Sequence, residues 1–401
     1  MGAVVAFGGA YVSLLVMAGG ALPAVAGEWS GHVGVEYRGF AHAPLDPAQH
    51  RNYFSISAQP EFRHKWDGGA QSITFVPFAR ASQYDDERSH ADIRELAWIK
   101  VGAAHEWRVG VRKVFWGVTE SQHLVDIINQ TDLVENPDAE EKLGQPMVNL
   151  ALIRDWGTLD LYALTGFRER TFPGREGRLR TIPPVDADRA QYESSRERER
   201  VDLAARWHVS RGDWEIGVTQ FAGTAREPRF VPALDDDGAP VLIPYYDLIH
   251  QTGLDVQATQ GAWLWKLEAI RRSGQGPRFA AATAGFEYTL AGAFGSGMDL
   301  GLLAEYLYDD RGDIAPTPFQ DDVFLGLRLG FNDERSSEAL LGAIIDRESH
   351  ARLLSLEASR RIGRSSKLIV EARAFAAVPE TDPLYSQRRD DYVQIELAHY
   401  F

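Results

Sequence analysis

The last ten residues, YVQIELAHYF (392–401), decide the fold. Extended, they place Val393, Ile395, Leu397, His399 and Phe401 on one face, and Gln394, Glu396, Ala398 and Tyr400 on the other, because side chains alternate along a strand. One face is largely apolar, and the chain stops on an aromatic residue. Such a strand suits a sheet with an apolar medium on one side and water on the other.

The same period of two runs through the chain. In NYFSISAQPEFRHKW (52–66), Phe54, Ile56, Ala58, Pro60, Phe62 and Trp66 oppose Tyr53, Ser55, Ser57, Gln59, Glu61, Arg63 and Lys65. In VDLAARWHV (201–209), Val201, Leu203, Ala205, Trp207 and Val209 oppose Asp202, Ala204, Arg206 and His208. VFLGLRLGF (323–331) and KLIVEARAFA (367–376) alternate likewise. Segmentation by this rule gives about eighteen strands, with sixteen as the alternative. They fall near 29–40, 53–66, 71–83, 92–102, 106–116, 146–155, 158–167, 200–209, 214–224, 248–259, 262–272, 279–290, 298–308, 323–332, 338–346, 352–361, 367–376 and 391–401. Most are about 9–14 residues long, against about 5–6 for ordinary strands, whereas a tilted strand crossing a bilayer needs about 9–11.

Connection lengths alternate. Short turns such as WDGGA, DWGT, SRGD and GRSS separate longer segments at 41–52, 84–91, 117–145, 168–199, 225–247, 273–278, 309–322, 347–351 and 377–390. Short periplasmic turns and long extracellular loops are the pattern of an outer-membrane barrel. Of 10 tryptophans, Trp29, Trp66, Trp107, Trp156, Trp207, Trp214, Trp263 and Trp265 fall at or near the short-turn ends, as in an interfacial aromatic girdle. The fold expected is therefore all-β: a transmembrane antiparallel up-and-down barrel over 27–401, as a single domain.

The amino-terminal stretch is apolar through Val25 and carries Ala24-Val25-Ala26, so 1–26 reads as a secretory signal peptide, though without the usual basic start. There is no cysteine, which excludes disulfides, Fe–S clusters and thiol catalysis. A net charge of -15 argues against a nucleic-acid partner. The location expected is the outer membrane of a Gram-negative bacterium.

The closing strand resembles the terminal strand of bacterial outer-membrane barrels. That resemblance implies an assembly signal at Tyr392, Ile395, Leu397 and Phe401, read by periplasmic chaperones and the barrel-assembly machinery. VGVRKVFWG with ESQHLVDIINQTD, LWKLEAIRR, GFEYT, EYLYDDRG and DVFLGLRL resemble a poorly characterised family of proteobacterial outer-membrane proteins, similar in layout to porins and to alginate-export barrels. The resemblance implies a channel and attaches no solute to it.

The face opposite the lipid side is charged. Glu36, Arg38, Glu61, Arg63, Arg80, Arg112, Arg206, Lys266, Glu268, Arg272, Glu305, Arg328, Glu357, Arg361, Glu371, Arg373 and Glu396 are expected to point inward, lining a polar pore or bracing its wall. Segment 117–145 is long for a plain connection. Its Leu124, Ile127 and Ile128 suit one face of a short helix broken at Asn136-Pro137-Asp138. Folded inward, it would form a constriction with Glu120, His123, Asp126 and Asn129 on the permeation path; packed outside, it would be a lid. Loop 168–199 is dense in Arg and Glu and reads as a mobile solvated loop, with lipopolysaccharide contact as the alternative.

Asp235-Asp236-Asp237-Gly238 and Asp309–Asp313 fall short of a full calcium loop, and no histidine pair has metal-ligand spacing, so no metal or cofactor is expected. No G-x-S-x-G is present; Ser121 with His123, Ser355 with His350, and rim residues Asp85, Asp86 and His90 are the weak hydrolase candidates. The expected function is passive or facilitated passage of small solutes, without enzyme activity. A closed barrel serving as scaffold, receptor or polymer-export partner is the alternative, and a surface hydrolase follows. Lipid and lipopolysaccharide are the expected surroundings; neither the solute nor the oligomeric state is legible.

Overall fold

A computed structural model describes residues 27–401; the expected leader, 1–26, lies outside the described residues. The strands are β1 (Glu28–Phe40), β2 (Asn52–Trp66), β3 (Gln71–Ser82), β4 (His90–Val101), β5 (His105–Arg112), β6 (Gln145–Arg154), β7 (Gly157–Leu164), β8 (Gln191–Tyr192), β9 (Asp202–Arg211), β10 (Trp214–Thr224), β11 (Arg229–Leu234), β12 (Pro240–Tyr246), β13 (Leu248–Gln260), β14 (Trp263–Gly274), β15 (Gly276–Leu290), β16 (Asp299–Asp309), β17 (Asp321–Gly330), β18 (Glu338–Asp346), β19 (Arg352–Ile362), β20 (Ser366–Ala376) and β21 (Tyr392–Tyr400). All but β8, β11 and β12 belong to one 18-stranded antiparallel sheet. It closes where β1 pairs with β21, from His32 opposite Tyr400 to Phe40 opposite Tyr392. Closure leaves no barrel strand with an open edge, which is what a sheet immersed in lipid requires. The three short strands form a separate sheet over the long-loop end.

The alternation sorts the two faces as expected. Ile56 is 52% exposed, Leu325 50% and Leu397 46%, all on the outside of the sheet. Residues on the inward face are covered: Ser55, Ser57, Asp202, Gln394 and Ala398 are buried. An apolar belt of this extent exceeds what a soluble monomer leaves in water. Trp29, Trp66, Trp107, Trp156, Trp214, Trp263 and Trp265 are exposed near the short-turn ends. Trp98, not counted in the girdle, belongs there too, donating 3.2 Å to Gln71 Oε1 at the start of β3.

Three expectations need correction. Strand β5 stops at Arg112 rather than 116, because from Lys113 the chain turns into the barrel. The supposed loop 273–278 is a single residue, Gln275, between β14 and β15; Gly274 and Gly276, at φ +110° and +79°, provide the left-handed backbone that so tight a reversal needs. Finally, the β3–β4 register shifts at Val76/Pro77, where Val76 pairs with Glu95 and Pro77 with Ile93. This bulge leaves Arg94 unpaired with β3 and turns it inward, where strict alternation would place it in lipid.

Loop 168–199 is packed through 180, whereas 195–199 are exposed. Arg178 is buried against Asp390 at 2.7 Å, its guanidinium lies over the Phe40 ring, and the Leu179 amide donates 2.7 Å to the same carboxylate. Phe40, Tyr53, Leu179, Phe375 and Tyr392 form the apolar cluster beneath it. The acidic turns are likewise internally satisfied: Asp235 accepts from the amides of Asp237 and Ala239, and Asp309 pairs with Arg311 at 2.5 Å.

Candidate functional site

Between β5 and β6 the chain enters the lumen and crosses it. Val125, Ile127 and Ile128 are almost fully buried and pack, with Trp116, on Tyr162, Phe221, Ile249, Ile270 and Phe279 of the inner wall. No helix forms here. The amides of Val118, Thr119, Glu120, Ser121 and Val125 donate to two wall carboxylates instead of to carbonyls one turn back. Glu268 on β14 accepts from the amides of Val118 (2.7 Å), Thr119 (3.1 Å) and Val125 (3.1 Å) and from Thr119 Oγ1 (2.7 Å). Glu305 on β16 accepts from the amides of Glu120 (2.7 Å) and Ser121 (2.8 Å) and from Ser121 Oγ (2.5 Å). Buried backbone donors must find partners somewhere, and ionised acceptors are strong ones.

The far half of the segment is held by ion pairs to the opposite wall. Arg80 on β3 bridges Glu36 of β1 (3.1 Å) and Glu135 (2.8 Å); Arg88 adds a 2.6 Å contact to Glu36. Arg94 meets Asp132 at 2.5 Å. Asn136 donates 3.0 Å to Glu371, and Asp138 pairs with Arg373 at 2.7 Å, both on β20. Burial alone would raise the Glu135 carboxyl; Arg80 and Arg88 hold it below its ordinary range.

The four residues expected on the permeation path separate into two pairs. Glu120 reaches open lumen, paired with Arg328 at 2.6 Å and with Lys266 at 3.5 Å. His123 lies at the lumen edge, 2.9 Å from Glu140 and 3.7 Å from Glu268. Burial would lower its pKa, but hydrogen bonds to these two carboxylates outweigh that and push it up to about 10. Asp126 and Asn129 do not face the path. Asp126 is buried beside Lys142 at 3.3 Å, and burial raises its carboxyl. Asn129 is a structural clamp that donates 2.8 Å to the carbonyls of Arg112 and Leu143 and accepts from the Val114 amide.

The expected pore-lining residues divide in the same way. Glu36, Arg38, Arg80, Lys266, Glu268, Arg272 and Glu305 point inward yet are covered by the segment and its neighbours, so they hold it rather than line water. Arg206 is engaged by Asp255 at 2.6 Å, and Arg112 and Glu396 are partly buried. Glu61 and Arg63 pair with each other at 2.5 Å. Arg328, Glu357, Glu371 and Arg373 line open space, with Arg361 following Glu357 on the same face of β19. Sequence reasoning missed Arg88, Arg94, Asp132 and Glu135, the centre of the ion-pair network. Here His90, Asp132 and Glu135 bring ligand-type atoms within 4.8 Å, but Arg94 and Arg80 already occupy the carboxylates. Of the hydrolase candidates, Ser121 is engaged with Glu305, His123 with Glu140, and Asp85 as acceptor for the Gly174 amide at 3.0 Å.

Space remains along β16–β20. A cavity of about 960 Å³ opens toward the long loops, bounded by Phe324, Leu340, Ile344, Leu353 and Phe375 on the wall, by Phe319 in the β16–β17 loop and by residues 119–140 on the segment. A second cavity, about 500 Å³, lies toward the short turns. Glu120 and Glu357 border both, and mark the waist between them.

No protein-family model and no curated protein matches the sequence. Solved structures do match in fold. Pseudomonas aeruginosa OpdO (OccK3) aligns with a TM-score of 0.54 at 11% identity, over 94% of this chain and 96% of that one. Wzi of Escherichia coli, described as a carbohydrate-binding β-barrel involved in group 1 capsule assembly, aligns at 0.53 and 9% identity, over 92% and 84%. At these identities the likeness is one of architecture: a porin-like outer-membrane β-barrel.

Proposed function

We propose that this barrel is an outer-membrane channel for small solutes, delivered by a cleaved leader at 1–26 and inserted through its closing strand. In that strand Ile395 and Leu397 face outward, Phe401 ends the outer surface and Tyr392 turns inward over Arg38. The single observation that carries the reading is the pair of cavities meeting at Glu120 and Glu357 on the wall the inward segment leaves uncovered. A pore needs continuous space and a fixed constriction. Glu268 and Glu305 fix the segment on one side, and Arg80 and Arg373 on the other. Solutes pass between the segment and β16–β20, and the waist sets their size. The mixed wall charges tune preference among those small enough to enter.

Refolded protein in planar bilayers tests this reading. Discrete, long-lived conductance steps are expected. Intact, inserted barrels that never conduct would overturn it, in favour of a closed barrel that binds rather than transmits.

A further inference from the structure

We infer that the solute is a small amphipathic cation, an apolar body bearing one ammonium group. The inference rests on the channel reading and deepens it by naming a substrate class.

The first observation is a break in the alternation. On β17–β20, Phe324, Leu340, Ile344, Leu353 and Phe375 face the lumen, while Leu325, Leu341 and Leu354 beside them face outward. Both faces of the wall are therefore apolar at this level. An inward apolar patch costs free energy in a water-filled pore, at about 25 cal/mol per Å² left wet. Phe324, Ile344 and Phe375 are themselves buried in apolar clusters, whereas Leu340 and Leu353 stay partly exposed to the larger cavity. A permeant with an apolar body covers these two.

The second observation is charge. Below the patch, the smaller cavity is lined by Glu120, Glu287, Asp299, Glu338, Glu357 and Glu371, against Arg328 and Lys367. With Lys266 on Glu120 (3.5 Å) and Arg373 on Glu357 (3.0 Å) counted as well, six carboxylates face four bases, an excess of 6 − 4 = 2 negative charges. Arg361, nearer the short turns on the same face, reduces that excess without cancelling it. Arg328 is itself shared between Glu120 (2.6 Å) and Glu287 (3.3 Å).

The guanidiniums around the larger cavity are committed. Arg229 pairs with Asp247 at 3.1 Å, Arg311 with Asp309 at 2.5 Å and Arg373 with Asp138 at 2.7 Å. Arg170 donates to Gln130 at 3.2 Å, and Arg272 pairs with Glu227 at 3.1 Å. An anion entering here finds no uncommitted partner among these. A cation moves from an apolar wall at Leu340 and Leu353 toward an acidic exit.

The test uses refolded full-length protein in planar bilayers, with three probes: phenyltrimethylammonium, tetramethylammonium and benzoate. In a KCl gradient the reversal potential is expected to show cation preference. Phenyltrimethylammonium is expected to block at about tenfold lower concentration than tetramethylammonium, through burial of its ring, and benzoate not at all. Leu340→Ser with Leu353→Ser should abolish the difference between the two cations while keeping ion preference. Glu357→Gln with Glu371→Gln should weaken ion preference while keeping the pore. Anion preference, block by benzoate, or equal block by the two cations overturns the inference and leaves the channel reading standing. If no current flows, the channel reading fails. Calorimetric titration of the same probes into detergent-refolded protein then decides: selective phenyltrimethylammonium binding retains the ligand class, and its absence overturns it.

Discussion

Glu120 Oε2 lies 2.6 Å from Arg328 Nη2, joining the inward segment to β17 at the waist between the two cavities. The same carboxylate faces Lys266 Nζ at 3.5 Å. It neutralises two bases on a wall that otherwise favours cations.

Glu120→Gln should therefore shift ion preference toward anions. One fixed charge about 4 Å from a passing ion is worth about 1 kcal/mol in water, a several-fold change in local ion concentration. Reversal potentials of the two proteins measure it; an unchanged value places the ion path elsewhere.

The apolar anchor is a separate element. Ile128 is fully buried between the segment and the wall. Truncation of such a residue costs about 2–5 kcal/mol. Ile128→Ala should keep the barrel inserted, loosen the segment, and raise current noise and protease cleavage within 117–145. Wild-type noise and resistance would show that the ion pairs hold the segment alone.

His123 gives a pH dependence. Its folded pKa, about 10, exceeds the ordinary 6.5. Raised pKa means that its contribution to stability is fully present below about pH 6.5 and is lost as pH rises through about 10. The urea-midpoint difference between wild type and His123→Gln should be largest at pH 6 and shrink toward pH 10. A difference that grows with pH would mean that the imidazole is neutral in the fold.

Barrel closure can be locked covalently, since the chain has no native cysteine. Val35 and Leu397 are register partners across β1 and β21, both pointing outward. The Val35→Cys/Leu397→Cys protein should oxidise to a species of altered gel mobility, whereas Val35→Cys/Leu325→Cys should not. Equal behaviour of the two would contradict the seam.

The wall was legible in the sequence because one force dominates it. Alternation against lipid marks Ile56, Leu203 and Leu397 whatever their neighbours do. The inside was less legible, because its partners are distant in sequence. Nothing near Val118 or Ser121 announces that their amides are met by Glu268 and Glu305, some 150–185 positions away, so Leu124–Ile128 reads as a helix. Arg94 escapes because one bulge reverses its face. Phe324 and Ile344 escape because a two-sided apolar strand reads as ordinary strand propensity. Arg178 looks solvated until Asp390 and Phe40 are placed beside it.

The most direct test of passage along β16–β20 is single-channel current through the Glu357→Cys protein before and after a cationic thiol reagent, with Thr283→Cys, buried under the segment, as control. Current should fall in discrete steps on modification of residue 357, from either side of the bilayer, and stay unchanged at residue 283. Unaltered current at 357, or block at 283, would contradict a path on that wall.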